Sequence, residues 1–222
     1  MAPWLLWAAL LLALTPAFPR PAGAEAAGES SCMVRFVPDG DTVLCADGNS
    51  VRYIGINAPE LGKEGVPDEP FARESREANR ALVAEGPLRL VFDAEKTDRY
   101  GRRLCYVYNS RGAFVNGAML EKGMAYVMPV PPNLLRQQEL LDLQRKAMQA
   151  RLGLWGAYKE FPAGPFTANP TSFRFHRPAH YRATKESPVF STLWEAFQAG
   201  YAPCRECCGE WVRSFAPPPA PR

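Results

Sequence analysis

Residues 33–60 read MVRFVPDGDTVLCADGNSVRYIGINAPE, and this stretch decides the fold. Met33 to Pro38 and Thr42 to Ala46 are short runs of strand-forming residues around a tight turn at Asp39-Gly40, which predicts a β-hairpin. A second turn, Asp47-Gly48-Asn49, leads into a third strand over Ser50 to Asn57. Cys32 and Cys45 lie symmetrically about the first turn. A cross-strand disulfide is favoured there, with two separate thiols as the alternative.

Downstream, Ala58 to Pro70 is an irregular loop. Phe71 to Glu85 is then an amphipathic helix with Phe71, Ala78, Leu82 and Val83 on one face, and Gly86-Pro87 stops it. Strands are predicted over Leu88 to Asp93 and Arg103 to Asn109, with a polar loop between them. Phe114 to Lys122 is a short helix, and Met124 to Val130 is extended. Leu134 to Arg151 is a long helix with Leu135, Leu140, Leu143 and Met148 as its core face. Strands come early with helices inserted and appended, which predicts a small antiparallel barrel packed with helices.

Composition sets the limits. Hydrophobic residues make up 47% of 222 residues, enough for a packed core. The net charge of +3 permits a nucleic-acid partner without arguing for one, so any basic surface must be local. Trp4 to Leu14 is an apolar run of about eleven residues, in the signal-peptide range and too short to span a bilayer. With the small-residue site Ala22-Gly23-Ala24, it predicts a signal peptide over residues 1–24 and export to the periplasm or the medium. Residues 25–31 read as a frayed leader.

Three segments concentrate charge where a barrel presents loops and strand ends: Asp39-Gly40-Asp41-Thr42, Arg52 through Pro59-Glu60, and Thr97-Asp98-Arg99-Tyr100-Gly101-Arg102. Together they supply hard oxygen ligands and guanidinium groups. That mixture suits phosphodiester cleavage: a divalent cation and forked arginine donors stabilise charge on the phosphoryl oxygens, and a carboxylate positions or deprotonates water. Each motif alone is commonplace, since Asp-Gly-Asp is an ordinary turn. Their joint occurrence in this order is specific.

On these motifs, and on Gly153-Leu154-Trp155 at the end of the long helix, Met33 to Trp155 resembles the staphylococcal-nuclease family. The resemblance implies an α+β fold, with a five-stranded OB-fold barrel and three helices over residues 32–156. It implies calcium-dependent hydrolysis of DNA and RNA that leaves 3′-phosphate ends. Residue by residue, it implies that Asp41, Asn57 and the Ala58 carbonyl are calcium ligands. Arg52 holds the scissile phosphate, Glu60 orients or deprotonates water, and Arg102 stabilises the phosphate and the leaving group. Arg99 and Tyr100 match positions that contact a terminal phosphate of the substrate. Two departures stand out. Asn57 replaces the Asp of the best-known members, and the two tyrosines the family carries after its second helix have no counterpart in Tyr126 to Pro132.

Residues 157–170 read as a linker. Residues 171–215 read as a small zinc-binding segment, and 216–222 as a disordered Pro-rich tail. His176 and His180, spaced H-x3-H, and Cys204 and Cys207, spaced C-x-x-C, suit a closed tetrahedral zinc site of structural type. A disulfide among Cys204, Cys207 and Cys208 is the alternative, as is Cys208 in place of Cys207. The segment resembles the Ada-type metal-binding module, with His180 where that module usually has Cys. Arg174, Arg177, Arg182 and Lys185 read as a solvated basic face. Cys105 reads as a small buried hydrophobe. A monomer is expected. The competing functional reading is a weakened OB-fold module that binds nucleic acid or protein without cutting it.

Overall fold

The computed structural model describes residues 29–159, 164–209, 211 and 215. The predicted signal peptide and Pro-rich tail lie outside the described residues. Among the described residues no helix is long and apolar enough to cross a membrane.

The chain begins with β1 (Glu29–Cys32) and β2 (Val34–Phe36), then β3 (Thr42–Cys45), β4 (Ser50–Tyr53) and β5 (Ile56–Asn57). After α1 (Ala72–Leu82) come β6 (Leu88–Val91), β7 (Arg103–Tyr108), α2 (Val115–Glu121), β8 (Tyr126–Val127), α3 (Gln137–Gln149) and α4 (Leu154–Ala157). The main sheet has the order β1-β6-β7-β4-β3-β2. Only Met33 separates β1 from β2, so the two sheet edges are halves of one bent strand and the sheet closes on itself. Counted that way, the barrel has five strands, as the sequence implies. Two details differ from expectation. Residues 29–31, read as frayed, are part of β1 and pair with β6. And the barrel is not wholly antiparallel, because β4 and β7 run parallel.

The barrel core holds Val43, Val51, Tyr53, Ile56, Leu88, Leu90, Val107 and Leu120, all essentially inaccessible. Cys32 and Cys45 are joined by a disulfide with a Cα–Cα distance of 5.4 Å, which staples β1 to β3. Cys105 is buried in β7, where burial pushes its thiol up to about 12. The predicted third strand is broken at Gly55. Its φ of +79° and the 2.5 Å separation between a built Cβ and Leu140 Cδ1 leave room for glycine alone. The break lets β5 leave the barrel and pair with β8, with Asn57 opposite Tyr126.

Helix α1 departs from its sequence reading. Its fully buried residues are Ala72, Ser75 and Asn79, a largely polar stripe. The Asn79 side chain accepts from the Tyr53 hydroxyl at 2.8 Å and donates to the carbonyls of Asp39 and Thr42 at 3.0 and 3.3 Å. Ser75 donates to the Met124 carbonyl at 2.7 Å. The helix therefore grips the Asp39–Thr42 turn by hydrogen bonds. Helix α3 buries Leu140, Leu141, Gln144, Ala147 and Met148, whereas Leu135, read as core, precedes the helix and is 74% exposed.

The C-terminal segment carries β9 (Phe166–Asn169), β10 (Arg174–His176), β11 (Val189–Phe190), α5 (Leu193–Gln198) and β12 (Ala202–Pro203). Its sheet has the order β11-β9-β10-β12. Strand β9 falls in the stretch read as linker and is an inner strand of this sheet. The segment has no private core. Tyr126, Ala147, Met148, Leu154 and Trp155 from the first part pack with Phe166, Phe175, Phe197, Trp211 and Phe215 from the second. Buried Gln144 ties the two parts, accepting from Val127 N at 2.6 Å and donating to the Phe197 carbonyl at 2.7 Å.

Replacing Asn79 by Ala strands the buried Tyr53 hydroxyl and two carbonyls, and is expected to cost about 2–4 kcal/mol of stability. A denaturant titration measures this. A loss below about 1 kcal/mol would show that the polar stripe does not hold the turn.

Candidate active site and C-terminal metal cluster

The first predicted segment places Asp41 at the start of β3, where it is 2% exposed. Gly40 makes this possible: a Cβ there would lie 1.8 Å from Ser75 Oγ and 2.7 Å from Ala58 Cβ. The Asp41 carboxylate is fully engaged. One oxygen accepts from the Thr42 hydroxyl at 3.0 Å. The other accepts from the Ala58 amide at 2.6 Å and meets Arg52 Nη2 at 3.1 Å. Burial pushes this carboxyl above its ordinary range. Arg52 and the Ala58 N–H pull it back, while Asp39 and Glu60 repel it further.

Arg52, on β4, is buried and divides its donors between the Tyr53 carbonyl at 2.8 Å, the Asn57 amide oxygen at 2.9 Å, and Asp41. Asn57 donates in turn to the Ala58 carbonyl at 3.1 Å and to the Tyr126 hydroxyl at 2.9 Å. Asp41, Arg52, Asn57 and Ala58 thus form one buried, hydrogen-bonded cluster. Its oxygens suit a calcium ion in kind, being a carboxylate, a carbonyl and an amide. Arg52 offsets the repulsion that Asp39 and Glu60 exert on Asp41, and a cation placed here would add to that relief. The set carries one buried carboxylate, so its charge is low.

Arg52 and Asn57 also line an open cleft of about 1030 Å³, together with Glu60, Arg99, Tyr100 and Arg102. Glu60 is exposed, and its backbone is clamped to Glu69. Glu60 N donates to Glu69 Oε2 at 2.8 Å, and Glu69 N donates to the Glu60 carbonyl at 2.9 Å. Glu69 is half-buried. Burial raises its carboxyl, with Glu60 adding to the rise and the Glu60 N–H and Arg205 opposing it.

Residues 98–102 form a tight loop closed by Asp98, whose carboxylate accepts from Tyr100 N at 2.9 Å, Arg102 N at 3.0 Å and Arg102 Nε at 2.7 Å. Burial raises the Asp98 carboxyl, but these hydrogen bonds outweigh it and hold the group below its ordinary value. The Tyr100 ring stands 68% exposed at the cleft, with the Arg99 and Arg102 guanidiniums 4.8 and 5.5 Å from its centroid.

The cleft also holds residues to which the sequence reading gives no place in the site: Tyr126 and Met128 from the first part, and Arg174, Pro203, Arg205 and Trp211 from the C-terminal segment. Tyr126 lies in the stretch where no substitute for the family's tyrosines was visible. Its role rests on the β5–β8 pairing, which no local pattern announces. Arg174 does not belong to a solvated face. One of its nitrogens is within 3.0–3.2 Å of the Pro129, Ser172 and Phe173 carbonyls.

In the C-terminal segment one ligand atom each from His176, His180, Cys204 and Cys207 lies within 4.8 Å of the others. Cys207 Sγ is 3.8 Å from His176 Nδ1. Burial lowers the His176 imidazole, with His180 and Arg174 adding to the shift, and burial raises the Cys207 thiol. Among the described residues the only disulfide is Cys32–Cys45; Cys204, Cys207 and Cys208 are free. Cys208 is buried, with its thiol directed to the Phe175 carbonyl at 3.8 Å.

Comparison with known proteins adds the family. Residues 50–157 match the family described as staphylococcal nuclease homologue. The chain is 31% identical over 137 residues to a thermonuclease of Staphylococcus hyicus, covering 60% of this chain and 80% of that one. It is 31% identical over 128 residues to the thermonuclease of Staphylococcus intermedius, covering 56% and 76%. It is 34% identical over 123 residues to endonuclease YncB of Bacillus subtilis, covering 53% and 57%. The family match ends before the histidine–cysteine cluster. With the barrel, the cleft and the extent of these similarities, the chain belongs to the staphylococcal nuclease family.

Proposed function

We propose that the protein is an exported, calcium-dependent nuclease that hydrolyses phosphodiester bonds in DNA and RNA. One observation carries this reading: Arg52, Glu60 and Arg102 line one cleft, and Arg52 is paired with the buried Asp41 carboxylate at 3.1 Å. Asp41, Asn57 and the Ala58 carbonyl would hold the calcium ion, which when bound supplies positive charge for the non-bridging phosphate oxygens.

The remaining work falls to side chains. Arg52 lines the cleft and is fixed by Asp41, Asn57 and the Tyr53 carbonyl, so its guanidinium is held in place before a phosphate arrives. Arg102 is held by Asp98 from one side and donates to the phosphate and the departing oxygen. Glu60 orients or deprotonates a water that attacks phosphorus. The water oxygen joins phosphorus, the P–O5′ bond breaks, and the proton reaches the leaving oxygen. The products are a 3′-phosphate and a 5′-hydroxyl. Arg99 and Tyr100, at the mouth, receive a terminal phosphate.

His176, His180, Cys204 and Cys207 hold one structural zinc ion, as in the Ada-type module this segment resembles. Four protein ligands leave no open position for chemistry. The leader supports export, and the Cys32–Cys45 disulfide suits an oxidising compartment.

Purified protein is expected to cut plasmid and single-stranded DNA with calcium and not with chelator. Glu60→Ala is expected to lower turnover by about 10²–10⁴. Full cleavage in chelator, or by Glu60→Ala, would sink the mechanism. Asn57→Asp restores a second carboxylate, and is expected to lower the calcium concentration for half-maximal cleavage about tenfold, since charge count tunes calcium sites. An unchanged or higher requirement would remove position 57 from the ligand set. Mass spectrometry of the folded chain is expected to find about one zinc, lost in Cys204→Ser. Its absence from the parent protein would reject that site.

A further inference from the structure

The C-terminal segment forms a second wall of the cleft. In the parallel pair β10–β12, Arg174 lies opposite Ala202 and Phe175 opposite Pro203. Cys204 N donates to the Phe175 carbonyl at 2.9 Å. This register brings Arg174, at the start of β10, and Arg205, just past β12, to the same cleft as Arg52 and Arg102. Arg205 sits between two residues of the histidine–cysteine cluster, Cys204 and Cys207, so the cluster brackets the loop that carries it. Trp211 packs edge-on against Tyr126 with centroids 4.9 Å apart, and Tyr126 is hydrogen-bonded to Asn57. The wall is thus joined directly to the buried cluster.

The arginines of this cleft are not equivalent. Arg52 and Arg102 hold carboxylates, Arg99 donates to the Tyr100 hydroxyl, and Arg174 is taken up by backbone carbonyls. Arg205 is exposed, and among the described residues it has no hydrogen bond or salt bridge. Arg174 and Arg205 line one cleft with Glu69, whose carboxylate Arg205 favours without bonding to it, so the Arg205 guanidinium keeps its donors for a phosphate.

We infer that the C-terminal wall binds the single strand of nucleic acid that runs on from the scissile phosphate, with Arg205 holding a flanking phosphate. A groove with arginine on both sides and an exposed aromatic ring at its mouth is the form that binds single strands, by backbone charge and base stacking. The Tyr100 loop and the C-terminal wall line the same cleft, so a strand lying in it meets arginines from both parts of the chain. This inference rests on the nuclease reading for the place of the scissile phosphate. It adds a subsite beyond residue 157, outside the part of the chain that matches the family.

Binding is measured separately from cutting. A fluorescent single-stranded 12-mer is titrated by anisotropy at several salt concentrations, in chelator and in the Glu60→Ala background. Arg205→Ala is expected to weaken binding about five- to tenfold and to flatten the log–log salt dependence by about 0.7, the loss of one phosphate contact on a single strand. Arg205→Lys is expected to recover the slope. Arg111→Ala, on the exposed Arg111–Glu85 pair outside the cleft, is the control and is expected to match the parent. An Arg205→Ala variant that matches the parent in affinity and slope overturns the inference, as does a parent that does not bind the strand. If the wild-type protein binds with the Arg205 dependence but does not cut in calcium, the nuclease reading falls and the subsite stands.

Discussion

The site depends on keeping the Asp41 carboxylate charged while it is buried. Water is excluded from it, so its charge must be met by partners. Arg52 alone is an imperfect answer, because the same guanidinium also serves Asn57 and the Tyr53 carbonyl. The Ala58 amide and the Thr42 hydroxyl supply the rest. Each of these partners needs a structural device to reach Asp41. Gly40 lets the turn approach Ala58 and Ser75, and Gly55 lets the chain leave the barrel so that residues 57 and 58 come back over Asp41. Asn79 ties the turn to helix α1. The barrel is a frame for one carboxylate.

Much of this was legible in the sequence, and the exceptions share a cause. The hairpin, the three helices of the first part and the disulfide follow from turn residues, period and compartment, all local signals. Long-range hydrogen bonding is not local. The apolar pattern gives helix α1 its face, yet what it buries is Ser75 and Asn79, whose partners are up to 49 residues away in sequence. The sequence gives Tyr126 no sign of its place, because its meaning lies in the β5–β8 pairing. Periodicity puts Leu135 in the core because it cannot show that the helix starts two residues later. The motif residues themselves were legible because their chemistry is written in residue type: a turn aspartate, an arginine on a strand, and an Asp-Arg-Tyr-Gly-Arg loop.

The C-terminal segment departs from its sequence pattern chiefly in how it is held, and the physics explains it. A segment of this size has little core of its own and needs a staple. The proposed zinc site at the histidine–cysteine cluster would supply one. The structure adds a second solution, a shared core. Trp155 packs edge-on against Trp194, Phe197 and Phe215, and Gln144 spans the junction with both ends of its amide engaged. Apolar surface at the end of α3 and on α4 is buried by the segment.

This sharing bears on Asn57. An aspartate there would place a second carboxylate beside Asp41, and without a cation the two would repel. Asparagine removes that cost and gains two hydrogen bonds, to the Ala58 carbonyl and to Tyr126. Tyr126 is in turn packed between Phe197 and Trp211 of the C-terminal segment. The residue that thins the metal's ligand set is thus the one that links the buried cluster to the second wall of the cleft. Asn57 Nδ2 holds the Ala58 carbonyl, so a cation at the proposed site would compete with this hydrogen bond. On that reading position 57 exchanges cation affinity for a preorganised cluster, and Tyr126, packed against the C-terminal wall, holds the amide in place.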